Sequence, residues 1–327
     1  MPDHTPDHAP GKRTGLHRRH RIGSLSVAPL NLGGNVFGWT ADEATSFDVL
    51  DAYTAAGGNF LDTADVYSAW IEGNSGGESE TVIGDWMAAR GNRDDIVVAT
   101  KAGAHPQHQG LAPATLRAAV EDSLRRLRTD RIDLFYTHYD DESIEVSEII
   151  GTLDELVREG KLREIAASNI SPARLRASLD FSAETGSARY VALQPHYNLV
   201  EREAYEGELS GIAERENLAV MPYFALAAGF LTGKYRAGQD ATGARAGKAA
   251  PYLETERGRS VLRALEAVAL AHDAEPATIA LAWLAARPTV TAPVASARHL
   301  GQLPTLLAMA DTELLDEELE LLTEASV

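Results

Sequence analysis

Short apolar segments alternate with helical patterns along the whole chain, and this alternation restricts the fold more than any other feature. The apolar segments are residues 26–34, 59–64, 95–103, 131–140, 162–170, 189–198, 218–226 and 289–297. Each is followed by apolar residues at helical spacing, with a long Gly/Ala-rich loop intervening after residues 218–226. The segments are almost continuously apolar, which is typical of parallel strands covered on both faces.

About eight strand–helix units in 327 residues predict a (β/α)8 TIM barrel, a single α/β domain of parallel strands with outer helices. An open doubly wound sheet is the rival fold, and it would need a glycine-rich phosphate-binding turn after an early strand. Neither GxGxxG nor GxxxxGK[ST] occurs in the chain. We therefore predict the barrel over residues 22–327.

Residues 1–21, MPDHTPDHAPGKRTGLHRRHR, have no apolar core, so we do not expect a secretory signal peptide. His4, His8, His17 and His20 suggest a metal site as an alternative, but their spacing fits no helix face. We predict a disordered N-terminal tail over residues 1–21.

Composition restricts the function classes. The formal net charge of −18 repels a phosphate backbone, so we expect no nucleic-acid partner. The chain has no cysteine, which excludes disulfides, thiolate nucleophiles and Cys-based metal sites. No apolar run approaches the length of a transmembrane helix. We expect a soluble cytoplasmic protein without a membrane partner, and we leave open whether it is a monomer or a homo-oligomer.

Polar residues stand where the predicted strands end, and the active site of a TIM barrel lies at the carboxyl ends of its strands. The second strand ends at Asp62, with Tyr67 just beyond it, the third at Lys101 and the fourth at His138. Each residue alone has an ordinary structural explanation, such as a capped turn or a solvated loop lysine. Their occurrence at three successive strand ends predicts one shared cavity.

These four residue types predict proton donation to an oxygen atom. An ammonium beside a phenol favours the phenolate and lowers the pKa of the phenol. Lys101 would therefore bring the pKa of Tyr67 closer to the working pH and make Tyr67 a better proton donor. Asp62 would hold and orient Lys101, and His138 would hydrogen-bond the same substrate oxygen. Such a group can protonate an oxygen atom as negative charge builds on it. Carbonyl reduction by hydride requires this step.

Other chemistries match the residues less well. Lys101 disfavours a divalent metal site, so we predict none, and no GxSxG nucleophile elbow is present. A glycosidase would need a carboxylate pair, for which Asp62 with Asp140 or Asp141 is conceivable, but Lys101 would then have no role.

At these residues the sequence resembles the aldo-keto reductase superfamily, in particular bacterial aldo/keto reductases. FLDTADVYS, VVATKAG, RIDLFYTHYDD, IAASNIS, QPHYNLVER and FLTGKY resemble the family's successive strand-end motifs, in family order, over roughly residues 22–310. The resemblance implies a catalytic tetrad of Asp62, Tyr67, Lys101 and His138, with Tyr67 as general acid. It implies NADPH-dependent reduction of an aldehyde or ketone to an alcohol by hydride transfer.

The resemblance also implies a site for the nicotinamide end of the cofactor. Ser168, Asn169 and Gln194 match positions that hold the carboxamide, and Tyr223 matches the aromatic residue on which the ring stacks. The segment FALAAGFLTGKY matches the pyrophosphate-binding loop, although Phe224 and Ala225 replace the more usual Ser-Pro. The cofactor-binding residues implied in this loop are Phe224, Leu226, Gly229, Leu231 and Lys234.

The adenosine end departs from the family pattern. After the last strand Ser296, Arg298 and Gln302 fit the pattern, but Pro304, Thr305 and Leu306 replace the usual Glu-Glu-Asn. A guanidinium binds phosphate in a bidentate manner, so Arg298 as partner of a 2′-phosphate favours NADPH over NADH. A solvated loop arginine, and use of NADH, remain the alternative.

Aromatic residues that follow strand ends are predicted to line the substrate pocket: Trp39, Trp70, Tyr139 and Phe37. They would favour apolar or aromatic carbonyls, or a sugar ring stacked on tryptophan, whereas ordinary loop packing is the alternative.

Two other functions stay open, a nicotinamide-cofactor-binding regulatory protein with little turnover and a barrel hydrolase of another family.

Overall fold

One sheet of eight parallel strands forms the centre of the protein, in a computed structural model that describes residues 15–235 and 246–327. The strands are β1 (Asn31–Gly33), β2 (Phe60–Asp62), β3 (Val97–Ala102), β4 (Ile132–Thr137), β5 (Leu162–Ser168), β6 (Tyr190–Gln194), β7 (Ala219–Val220) and β8 (Val294–Ala295). Their order is β7-β6-β5-β4-β3-β2-β1-β8, so the strands are neighbours in chain order except that β8 returns to β1.

Hydrogen bonds between the two ends of this order close the sheet. Val220 in β7 forms a parallel bridge with Val290, and the amide of Thr291 donates to the carbonyl of Val220 over 2.8 Å. Pro293 has no amide hydrogen, which limits the ladder of β8 to two residues. Closure in this way confirms the predicted (β/α)8 TIM barrel.

Helices cover the outside of the barrel and connect its strands. They are α1 (Glu43–Ala55), α2 (Glu78–Arg90), α3 (Pro113–Leu127), α4 (Val146–Arg158), α5 (Pro172–Thr185), α6 (Glu208–Arg215), α7 (Ala246–Glu254), α8 (Glu256–Ala271), α9 (Pro276–Ala285), α10 (Leu303–Leu307) and α11 (Asp316–Glu324). The start of α5 follows directly from its sequence, because the Ser171 side chain accepts from the amide of Arg174 and Pro172 occupies the first turn. Helix α7 lies where the sequence predicted only a Gly/Ala-rich loop.

The barrel interior is filled by apolar side chains from most of the strands, among them Phe60, Ala99, Leu134, Ala166 and Ala192. An antiparallel hairpin of His20–Ile22 and Leu25–Val27 adds Ile22, Leu25 and Val27 to the same cluster. The second layer of the core lies between the sheet and the helices. Apolar residues thus fill the barrel below the strand ends, and polar ones gather above them.

Residues 15–21 are part of this folded structure, which corrects the predicted start of the barrel at residue 22. Gly15–His17 forms a 3-10 turn, Leu16 is fully buried, and the Arg19 guanidinium donates to the carbonyl of Gly57. Too few apolar residues occur in this stretch to produce a periodic pattern. Residues 1–14, with His4 and His8, lie outside the described residues, and no helix within the described ranges is long and apolar enough to cross a membrane.

Candidate active site

Asp62, Lys101 and Tyr67 meet at the carboxyl ends of β2 and β3. The Nζ atom of Lys101 lies 2.7 Å from Asp62 Oδ2 and 2.9 Å from the hydroxyl of Tyr67. Asp62 pairs with Ala99 in the parallel ladder, so Lys101, two residues further along β3, points to the same side. Both charged side chains are buried, whereas Tyr67 reaches the cavity above them.

Lys101 is held by a complete set of acceptors. Besides Asp62 and Tyr67, its ammonium donates to the carbonyl of Thr63 over 2.8 Å. Burial lowers the pKa of Lys101, and the Asp62 carboxylate acts in the opposite direction by favouring the charged form. The site therefore places a positive charge directly against a phenol oxygen.

His138 follows the last residue of β4 and faces the same group. Its ring centroid is 6.3 Å from that of Tyr67, and the ring of Tyr139 stacks on its other side at 4.9 Å. Burial, assisted by the positive charge of Lys101, lowers the pKa of His138 to about 3. The imidazole is therefore neutral near pH 7 and has one N–H to donate.

Polar groups from β5 and β6 form a second hydrogen-bonded set beside the first. The hydroxyl of Ser168 donates to the carbonyl of Gln194 over 2.8 Å, and Asn169 Nδ2 donates to the carbonyl of His138 over 2.8 Å. The hydroxyl of Tyr223 donates to Asn169 Oδ1 over 2.8 Å, and its ring stacks against His196. Hydroxyl and amide groups and an aromatic ring thus line the same cavity as the phenol.

A cavity of about 740 Å³ opens over these residues. Its lining includes Asp62, Tyr67, His138, Ser168, Asn169, Gln194 and Tyr223, together with the further cofactor residues expected from the sequence, namely Phe224, Leu226, Gly229, Lys234, Ser296, Arg298 and Gln302. Lys101 lies below this lining, in contact with Tyr67. Leu231 differs from its neighbours, because its side chain is fully buried in the core between sheet and helices.

Three Lys and Arg side chains of the described residues line the cavity, in a chain of net charge −18. Lys234 and Arg298 were expected from the sequence, and Lys248 on α7 joins them, with its ammonium 5.7 Å from the centre of the Phe224 ring. Lys248 was missed because its surroundings have no motif and little helical pattern. Gly229 has a left-handed backbone, and a Cβ there would lie 3.2 Å from Lys234 Nζ, so glycine leaves room for this ammonium.

Aromatic side chains form another part of the lining, the aromatic wall. The indoles of Trp39 and Trp70 contact edge to face at 5.6 Å, and Trp70 lies 6.2 Å from Tyr67. Trp70 and Tyr139 are 50% and 54% exposed, so both offer apolar surface to a ligand. Phe37, by contrast, is fully buried in the core, which corrects its predicted place in the lining.

Asn35 is a lining residue that the sequence did not indicate. It follows β1, and its Oδ1 accepts a hydrogen bond from the hydroxyl of Ser296 over 2.7 Å. The carboxamide therefore connects the loops after β1 and β8. A polar residue after a Gly-Gly pair was the only available signal, and Asn in such a turn is common.

Asp140 and Asp141, the acids considered as partners of Asp62 in a carboxylate pair, form hydrogen bonds with other residues. Arg174 makes a bidentate contact with Asp140 at 2.9 and 3.2 Å. Asp141 accepts from the amide of Leu111 and from Ser143. Within the described ranges, no group of three or more His, Asp and Glu side chains is placed to hold a metal ion.

The sequence profile of the aldo/keto reductase family matches residues 29–327. The chain belongs to this family. The resemblance carried by the strand-end motifs is thereby confirmed. Aldo/keto reductases are oxidoreductases that act on small carbonyl compounds and generally use a nicotinamide cofactor.

Several curated relatives match this aldo/keto reductase over most of its length. The aryl-alcohol dehydrogenase [NADP(+)] of Phanerodontia chrysosporium is 31% identical, over 96% of this chain and 87% of its own. Protein tas of Escherichia coli is 30% identical, over 92% of this chain and 95% of its own. Norsolorinic acid reductase B of Aspergillus parasiticus is 31% identical, over 92% of this chain and 81% of its own.

Two departures of this aldo/keto reductase from the family pattern have structural counterparts. Phe224, in place of the usual Ser, has a positive φ of 51°, and Asn198 Nδ2 donates to its carbonyl over 3.0 Å. Leu306, in place of Asn, is buried, and Pro304 lies in the first turn of α10. The usual Glu-Glu-Asn side chains are therefore absent at these positions.

Proposed function

We propose that this protein is an NADPH-dependent carbonyl reductase that reduces an aldehyde or ketone to an alcohol, with Tyr67 as general acid. The observation that carries the proposal is the buried Lys101–Asp62 pair, whose ammonium lies 2.9 Å from a phenol in the cavity wall. An ammonium at this distance stabilises the phenolate that remains after proton donation.

The proposed reaction adds a hydride to the carbonyl carbon and a proton to the carbonyl oxygen. The nicotinamide, when bound, supplies the hydride. Tyr67 donates the proton from its hydroxyl, and Lys101 stabilises the negative charge left on the phenol oxygen. His138, neutral because its pKa is lowered to about 3, donates an N–H to the same carbonyl oxygen and orients it.

The residues present fit a nicotinamide dinucleotide. Ser168, Asn169 and Gln194 supply donors and acceptors for a carboxamide, and Tyr223 supplies an aromatic face for the ring. The Lys and Arg side chains in the cavity lining suit phosphates. The name of the Phanerodontia chrysosporium relative includes NADP(+), which supports NADPH over NADH.

The aromatic wall of Trp39, Trp70 and Tyr139 favours an apolar or aromatic carbonyl substrate. Relatives named aryl-alcohol dehydrogenase and norsolorinic acid reductase support the same substrate class. Trp70→Ala is expected to raise KM for benzaldehyde-like substrates by about tenfold and to change KM for short aliphatic aldehydes less, because only rings gain edge-to-face contacts. Equal effects on both would exclude a part for Trp70 in selection.

A carbonyl panel assayed in parallel with NADPH and NADH tests the proposal. Tyr67→Phe should lower kcat by about 10²–10⁴-fold while NADPH binding is retained, because only the proton donor is removed. Tyr252→Phe is the matched control, since its phenol contacts Glu201 outside the cavity. Undiminished turnover in Tyr67→Phe would refute the mechanism, and tight NADPH binding by the wild type without turnover would favour a cofactor-binding regulatory protein.

A further inference from the structure

Gln194 makes a contact that the family resemblance does not assign to it. Its side-chain Nε2 donates a hydrogen bond to Asp62 Oδ1 over 2.7 Å, and both side chains are buried. The resemblance gives Gln194 a different role, that of a ligand of the nicotinamide carboxamide. The contact with Asp62 instead connects Gln194 to the proton-donating group, which consists of Asp62, Lys101 and Tyr67.

The two oxygens of Asp62 have different partners. Oδ2 contacts Lys101 Nζ at 2.7 Å and accepts from the Tyr67 hydroxyl at 3.3 Å. Oδ1 accepts from Gln194. A carboxylate held through both oxygens cannot rotate without breaking a charge-assisted hydrogen bond, so the amide fixes the plane of the carboxylate.

We propose that Gln194 is a positioning residue that orients Asp62 and, through Asp62, holds the Lys101 ammonium against Tyr67. This inference rests on the proposed function, because it concerns the preparation of the proton donor. The backbone carbonyl of Gln194 also accepts from Ser168, whose hydroxyl in turn accepts from Asn169 Nδ2 at 3.1 Å. The carboxamide-recognising group and the proton-donating group therefore form one hydrogen-bonded network.

Loss of the amide frees Oδ1 and lets the carboxylate turn, so Lys101 is held less firmly against the phenol. A nearby ammonium favours the phenolate, and a looser one favours it less. The phenol of Tyr67 should therefore titrate at a higher pH in a Gln194 variant. A residue that served only as a carboxamide ligand would change cofactor affinity and leave this titration alone.

The test is an NMR titration of isotope-labelled tyrosine in the cofactor-free protein, with Tyr67→Phe identifying the signal. Gln194→Met keeps the volume of the side chain and removes the donor, and we expect the midpoint to rise by about one pH unit. Ser168→Ala is the matched control, because it alters the carboxamide site without touching Asp62. It should weaken NADPH binding, measured by fluorescence, and keep the wild-type midpoint.

A wild-type midpoint in Gln194→Met, together with weakened NADPH binding, would overturn the inference and leave Gln194 as a cofactor ligand. If circular dichroism shows that Gln194→Met does not fold, Gln194→Leu decides in the same way. Its side chain also lacks a hydrogen-bond donor, so the midpoint should rise, and an unchanged midpoint overturns the inference. The titration needs no substrate, so a wild type that fails to reduce carbonyls would refute the proposed function separately.

Discussion

The ammonium of Lys101 and the carboxylate of Asp62 lie 2.7 Å apart, with each side chain only 1% exposed. Removing one member of a buried ion pair leaves the other charge buried without its partner, which costs far more than the pair contributes. The same ion pair therefore affects both the stability of the barrel and the proposed reaction. Suitable substitutions can change one of these without the other.

Lys101→Met should abolish carbonyl reduction and lower the free energy of unfolding by about 3 kcal/mol, because Asp62 remains as a buried charge. The double variant Asp62→Asn/Lys101→Met should recover most of this stability and none of the activity. Chemical denaturation and turnover assays measure both quantities. Equal instability of the single and double variants would contradict a role for the unpaired carboxylate.

His138 should make the protein sensitive to acid. Its pKa is lowered to about 3 in the folded state, below the usual 6.5, so the unfolded chain binds a proton between these values and the folded protein does not. The free energy of unfolding should therefore fall as the pH is lowered from 6.5 towards 3, by on the order of 2–3 kcal/mol at pH 4.

Replacing His138 removes that ionisation, so His138→Asn should lose less stability than the wild type between pH 7 and pH 4. Urea denaturation at both pH values gives the comparison. His272→Asn is the control, because His272 is not among the residues that line the cavity and pairs with Glu318. Parallel losses in the wild type and His138→Asn would rule out this assignment.

Asp65 should make the free energy of unfolding fall as the pH rises, which is the opposite of the effect of His138. Burial and the nearby Glu80 carboxylate raise its pKa to about 8. The folded protein keeps this proton up to about pH 8, whereas the unfolded chain loses it near pH 4. Stability contributed by the proton is therefore lost as the pH rises through this range.

Asp65→Asn should accordingly be more stable than the wild type at pH 9, by a few kcal/mol, and show little difference at pH 4. Asp51→Asn, at a half-exposed acid paired with Arg90, is the control and should give no alkaline gain. Thermal denaturation across the pH range measures the effect. A variant that is less stable than the wild type at pH 9 would contradict a buried protonated acid.

Arg298 should make the protein bind NADPH more tightly than NADH. Arg298→Ala is expected to raise the Kd for NADPH about tenfold and to leave the Kd for NADH unchanged, because only NADPH has a 2′-phosphate to pair with a guanidinium. Lys234→Ala is the contrasting variant and should weaken both cofactors, since a pyrophosphate is common to them. Fluorescence titration measures both affinities, and a loss shared equally by both cofactors in Arg298→Ala would exclude the assignment.

The strands and helices of the barrel were predictable because their patterns are local. Near-continuous apolar runs mark β3, β4 and β5, and Ser171 with Pro172 marks the start of α5. The strands β7 and β8 are only two residues long within the predicted apolar segments 218–226 and 289–297, in which Pro222 follows β7 and Pro293 precedes β8. Helix α7 and the ordered residues 15–21 have too few periodic apolar residues to be recognised.

For the site, the sequence by itself determined which polar residue stands at each strand end, because strand ends and motifs are local. It placed Asp62, Tyr67, Lys101 and His138 at successive strand ends, and a parallel barrel brings such residues to one rim. Only the tertiary structure decided the contacts between them, including the bond from Gln194 to Asp62 across 132 positions of sequence. It also decided that Phe37 and Leu231 face the core and that Lys248 faces the cavity, because side-chain direction and burial depend on the packing of distant segments.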